Sequence, residues 1–185
     1  MSESIRLLPH TFDVSALASQ LDASKAWNRY NPRRAQYVHQ RIDDIWARYN
    51  AWENFDGDLA RFNDAHESVW YPEISDIPAL KPLVFDVMRA VEGERLGGVL
   101  ITRIPPGNGV APHADGGWHA SYYGKFAVQV KGNAEQAFCF KDARLSAKPG
   151  ELYTFDNSRV HWVTNDSDAE RITLIICIRG SKYGL

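Results

Sequence analysis

Residues 150–179 read GELYTFDNSRVHWVTNDSDAERITLIICIR, and the fold turns on how that stretch divides. Glu151–Phe155, His161–Thr164 and Arg171–Arg179 are runs rich in β-branched and aromatic residues, with Asn, Asp and Ser crowded into the gaps. Short runs with turn-forming punctuation predict antiparallel strands. The same texture extends upstream through Gly98–Ile104, Tyr122–Lys131 and Gln136–Phe140. Runs of this length and spacing between residues 96 and 180 predict a compact β core of jelly-roll type.

Residues 1–95 read as mainly helical or irregular. Asp13 is placed to cap a helix through Leu17 and Leu21 towards Trp27, and Pro32 breaks the pattern. After Pro78, the residues Leu80, Leu83, Val84, Val87, Met88 and Val91 recur at helical spacing, and Gly93 ends the run. Ile42–Tyr49 fits a strand or a helix, and residues 50–78 look irregular. The expected class is mainly β, or α+β, with the N-terminal helices packed on one face of the core. At 185 residues and 44% hydrophobic content, one domain over 1–185 is expected.

The 21 Lys and Arg against 23 Asp and Glu leave a net charge of -2, which provides no general attraction to nucleic acid or an anionic membrane. Cys139 and Cys177 both sit in apolar, strand-like runs, so no disulfide framework is expected and a reducing compartment fits. MSESIRLLPH has no signal-peptide pattern, and the longest strongly apolar run, Ile172–Ile178, is too short for a membrane span. A cytoplasmic location follows as the expectation.

Candidate chemistry lies in PPGNGVAPHADGG, where His113 and Asp115 stand two residues apart. In extended chain, residues i and i+2 project to the same side, so an imidazole and a carboxylate reach one ion together. His161 opens a later strand. Two histidines and one carboxylate on one face of a metal form the facial triad of non-haem iron(II) oxygenases, which leaves positions free for co-substrate and O2.

Arg171, ten residues after His161, supplies a further element. ERITLIICIR is otherwise nearly all apolar, and a charge inside such a sheet is costly without an anionic partner. A 2-oxo acid that chelates the metal needs a cation for its distal carboxylate. Arginine suits that task through its planar fork and permanent charge. Pairing of Arg171 with Asp156 or Glu170, or exposure to solvent, is the alternative.

With these residues in view, GELYTFDNSRVHWVTNDSDAERITLIICI resembles the C-terminal half of the aspartyl/asparaginyl β-hydroxylase family. There a Gly-rich turn, a strand, Phe-Asp-Asp/Asn-Ser and a ligand histidine precede an arginine ten residues on. RIPPGNGVAPHADGG is similar to the segment that bears the family's first ligand histidine. The resemblance covers about residues 97–180 and implies a single oxygenase domain with a double-stranded β-helix fold. It implies iron(II), 2-oxoglutarate and O2 as reactants, ascorbate as assay reductant, succinate and CO2 as products, and hydroxylation of an unactivated C–H bond. His113 and His161 become iron ligands and Arg171 the anchor of the distal carboxylate. Animal members carry glycine in place of the carboxylate ligand, so Asp115 resembles the full triad of bacterial and phage-type members. The family's Arg-x-His pair is matched here by Lys125-Phe126-Ala127, so its second co-substrate contact and an Asp or Asn substrate are not carried over.

Trp118, His119 and Tyr122 follow the first two ligands, and Trp162 follows the third, which makes them candidates for a substrate pocket. KAWNRYNPRRAQYVHQR, residues 25–41, interleaves basic and aromatic residues and has no acid. Arg33 and Arg34 are candidates there for contact with an anionic partner. The expected substrate is an amino acid or a protein side chain. A nucleobase substrate, and a cupin-like metal- or ligand-binding module without oxidative chemistry, are the alternatives. Oligomeric state is not legible.

Overall fold

A computed structural model describes residues 4–33, 37–39 and 41–183; Arg34 lies outside the described residues. In chain order the elements are β1 (Ile5–Thr11), α1 (Ser15–Ala23), β2 (Asp43–Tyr49), α2 (Leu59–Phe62), β3 (Val69–Trp70), α3 (Leu80–Ala90), β4 (Arg95–Ile104), β5 (Gly109–His113), α4 (Trp118–Tyr122), β6 (Gly124–Lys131), β7 (Gln136–Phe140), β8 (Arg144–Leu145), β9 (Glu151–Phe155), β10 (His161–Asn165) and β11 (Arg171–Arg179). They form a seven-stranded sheet, ordered β1-β9-β6-β11-β4-β2-β3, and a four-stranded sheet, ordered β5-β10-β7-β8. From β4 onward the chain passes back and forth between the two sheets, with the β7–β8 hairpin kept within the smaller one, which is the winding of a jelly roll.

The strands of the large sheet place successive side chains on opposite faces. In β11, Ile172, Leu174, Ile176 and Ile178 join the cluster that also holds Leu17 and Leu21 of α1 and Val84 and Val87 of α3. Arg171, Thr173, Ile175 and Cys177 take the other face and line the cleft between the sheets. A second cluster, including Ile104, Phe138, Tyr153, Phe155 and Val163, closes one end of that cleft.

The N-terminal part departs from the helical or irregular reading, because it contributes β1, β2 and β3 to the large sheet. β2 hid behind its burial: Ile45 and Trp46 are both buried, so the two-residue alternation of an exposed strand is absent. α1 ends at Ala23, short of Trp27, and Asp13 assists from one residue before the cap, accepting the Ser15 N–H at 2.9 Å.

Asn165 at the end of β10 ties the cleft together. Its fully buried amide donates to the carbonyls of Ile104, Pro105 and Ala169 at 2.8–3.0 Å, and its oxygen accepts the Ser167 hydroxyl at 2.7 Å. The turn that leads from β4 into β5 is thus held to β10. Asn165→Ala strands several of these groups and is expected to cost about 2–4 kcal/mol in urea unfolding; a loss below about 1 kcal/mol would assign the tie to other residues.

Candidate metal centre

His113, Asp115 and His161 meet at the mouth of the small sheet, with one ligand atom from each within 4.8 Å of the others. β5 and β10 pair with Val110 opposite Val163 and Gly109 opposite Thr164, a register that would set Pro112 opposite His161. A one-residue bulge intervenes, and His113 faces His161 instead. The two rings lie 4.5 Å apart between centroids. Just beyond β5, the Asp115 N–H donates to the Asn157 carbonyl at 2.9 Å, which fixes the carboxylate beside the rings.

The ring orientations suit a metal. Nδ1 of His113 lies 2.8 Å from the Ala111 carbonyl, and Nδ1 of His161 lies 2.8 Å from the Arg159 carbonyl. A carbonyl only accepts, so each Nδ1 donates a proton to it, which leaves Nε2 as the atom turned towards a metal. Burial lowers the His161 pKa and favours the neutral ring. For Asp115 burial acts upward, but Lys125, His161, His113 and Arg33 outweigh it and hold the carboxyl below its usual value. Two imidazoles and one carboxylate fit a divalent ion such as iron(II).

An inner recess of about 80 Å³ runs from the triad to Arg171, between Ile104, Phe138, Phe155 and Val163. Arg171 is buried, donating to Thr173 Oγ1 at 2.6 Å and the Tyr153 hydroxyl at 3.1 Å. It has no carboxylate partner among the described residues, and Glu170 pairs with Lys131 instead. An outer cavity of about 420 Å³ opens on the opposite side of the triad, against Trp46, Tyr49, Leu100 and Ile175. His113, Asp115, Arg33 and Lys125 line both spaces.

The candidate pocket residues divide. His119 lines the outer cavity, packs on Tyr49 and accepts the Gly98 N–H on Nε2 at 3.2 Å. Gly98 is required there, because a Cβ would lie 2.9 Å from the Tyr49 ring. Trp118, Tyr122 and Trp162 line neither space. Trp162 follows a cleft-facing histidine on a strand and so takes the other face. Trp118 and Tyr122 stack on one another, one helical turn apart on α4, and Tyr122 packs beneath Arg179.

The basic segment is also redistributed. Arg33 forms a two-pronged ion pair with buried Asp44, at 2.7 and 2.8 Å, and lines the cleft instead of an outer face. Arg29 pairs with Glu73, the Tyr30 hydroxyl donates to Glu73, and the Trp27 indole donates to the Leu21 carbonyl. These groups are committed within the fold and offer no open stacking platform. Sequence reasoning missed His39, Trp46, Tyr49, Lys125 and Tyr153. The period of two starting from Arg171 signalled only Thr173, Ile175 and Cys177, since the partner strands could not be placed.

The family described as aspartyl/asparaginyl β-hydroxylase matches residues 13–180. No curated protein matches the sequence. Among solved structures, a 2OG-Fe(II) oxygenase family oxidoreductase from Burkholderia pseudomallei is 14% identical, with TM-score 0.57 over 95% of this chain and 84% of that one. The viral collagen prolyl hydroxylase from Paramecium Bursaria Chlorella virus-1, in its 2OG complex, is 11% identical, with TM-score 0.52 over 98% of both chains. At such identities the likeness is one of fold alone, a two-sheet jelly-roll core shared with these proteins.

Buried His119 makes the fold acid-sensitive. Burial, then Lys125 and His66, push its pKa from 6.5 down to about 2. The unfolded chain therefore takes up this proton first, and the stability present above about pH 6.5 is lost as pH falls, by up to about 1.4 kcal/mol per pH unit. His119→Gln retains an acceptor for Gly98 and should flatten the stability profile between about pH 6 and 4 by that slope; an unchanged profile in urea unfolding would contradict this.

Proposed function

The chain belongs to the aspartyl/asparaginyl β-hydroxylase family, and from that membership we propose that it is an iron(II)- and 2-oxoglutarate-dependent dioxygenase. Its reaction is hydroxylation of an unactivated C–H bond in an amino acid or protein side chain, with release of succinate and CO2. The observation that carries this reading is Arg171, a buried cation without a carboxylate partner among the described residues, at the end of a recess that begins at His113, Asp115 and His161. A buried guanidinium left in that state is costly, and a bound carboxylate relieves the cost.

His113, Asp115 and His161 would hold the iron, each imidazole through Nε2. Arg171 would take the distal carboxylate of 2-oxoglutarate, with the Thr173 and Tyr153 hydroxyls orienting its fork. Iron(II), bound with 2-oxoglutarate and O2, supplies the oxidising power for the reaction. The apolar walls of the recess exclude water, and the outer cavity is the remaining space for the substrate carbon. Ala127, where the family carries histidine, favours a second reading as a cupin-like module that binds a metal or an acid without turnover.

Anaerobic titration with iron(II) and 2-oxoglutarate should produce the visible absorbance band of the chelate, and His113→Ala should abolish it. Arg171→Ala should keep iron binding yet weaken 2-oxoglutarate about a hundredfold, and succinate release should fall in step. Tightly held zinc or nickel with no response to 2-oxoglutarate would support the module instead.

A further inference from the structure

The cleft holds more positive charge than its own residues neutralise. Arg33, Lys125 and Arg171 are its cations, and Asp44 and Asp115 are the carboxylates that face them, so one positive charge is in excess among the described residues. Iron(II) and the 2-oxoglutarate dianion would cancel one another, so the cleft as a whole keeps one positive charge, with Arg33 and Lys125 the cations that line both spaces.

The geometry locates where that excess is offered. Arg171 sits in the inner recess only, whereas Arg33 lines both spaces. Nε and Nη2 of Arg33 are committed to Asp44 and Thr102. Nη1 makes no hydrogen bond to a described residue, while Asp44 holds the guanidinium rigidly from behind. His39, 6% exposed, also lines both spaces and leaves Nδ1 without a partner. Among the described residues the only carboxylate lining the outer cavity is Asp115, which belongs to the triad, so an ammonium group finds no acceptor of its own among them. Trp46, Tyr49, Leu100 and Ile175 supply apolar wall.

We infer that the substrate is a carboxylate with an apolar body, its charge received by Arg33 at the boundary of the two cavities. This rests on the oxygenase reading and narrows it to substrates that present a carboxylate over purely cationic ones. Arg33 is thereby a specificity-determining residue that contacts substrate, with Asp44 positioning its fork.

The test uses the anaerobic protein loaded with iron(II) and 2-oxoglutarate, titrated with 3-phenylpropionate, its amide and 3-phenylpropylamine. Binding is followed calorimetrically and by perturbation of the chelate band. The carboxylate should bind at least about tenfold tighter than the amide, with the amine weakest. Arg33→Lys should keep a reduced preference. Because Arg33→Gln alone would strand buried Asp44, the neutral pair R33Q/D44N is the decisive variant. It should lose the preference for the carboxylate over the amide. Equal binding of carboxylate and amide, no binding of the carboxylate, or a preference that survives in R33Q/D44N would overturn the inference. Failure of the chelate band to form would instead sink the oxygenase reading on which it rests.

Discussion

A β-strand cannot show two consecutive side chains to the same face, and β11 puts that constraint to two uses at once. Its even-numbered residues from Ile172 to Ile178 bury against α1 and α3, while Arg171, Thr173, Ile175 and Cys177 face the cleft. Neighbouring β6 divides the same way, with Phe126 and Val128 towards the helices and Lys125 towards the triad. Hydrophobic burial on one face holds a polar surface in place on the other. That surface needs such support, because its charges are largely withdrawn from water.

Those charges are compensated in different ways. Arg33 has a two-pronged ion pair with Asp44. The Lys125 ammonium lies 3.8 Å from Asp115 and 3.4 Å from the Cys177 sulfur. Burial acts to lower the lysine pKa, but Cys177 and Asp115 outweigh it and raise it, so Lys125 remains a cation beside the triad. Arg171 alone has hydroxyls in place of an anion. Among the described residues, Arg171 is thus the cleft cation that no carboxylate faces.

How much of this was legible depended on how local the signal was. β7, β9 and β11 begin and end where their runs of β-branched and aromatic residues do. Arg171 could be read because a lone charge stands out in ERITLIICIR. β1 could not be read, because Pro9 and His10 interrupt it and its register with β9 shifts between Leu7 and Thr11. Trp162, Trp118 and Tyr122 were misplaced because neighbourhood along the chain is not neighbourhood across a sheet or around a helix. Arg33 looked like part of a basic surface because its partner, Asp44, belongs to a strand whose face could not be assigned from the sequence.

The bulge between β5 and β10 makes strand register part of the metal's affinity. An ion held by both His113 and His161 binds only the paired, bulged arrangement, so it draws the two strands towards that pairing by mass action. Metal loading and the local opening of the small sheet then form a single equilibrium. Loading should accordingly slow amide exchange along both strands, in regions that never touch the ion.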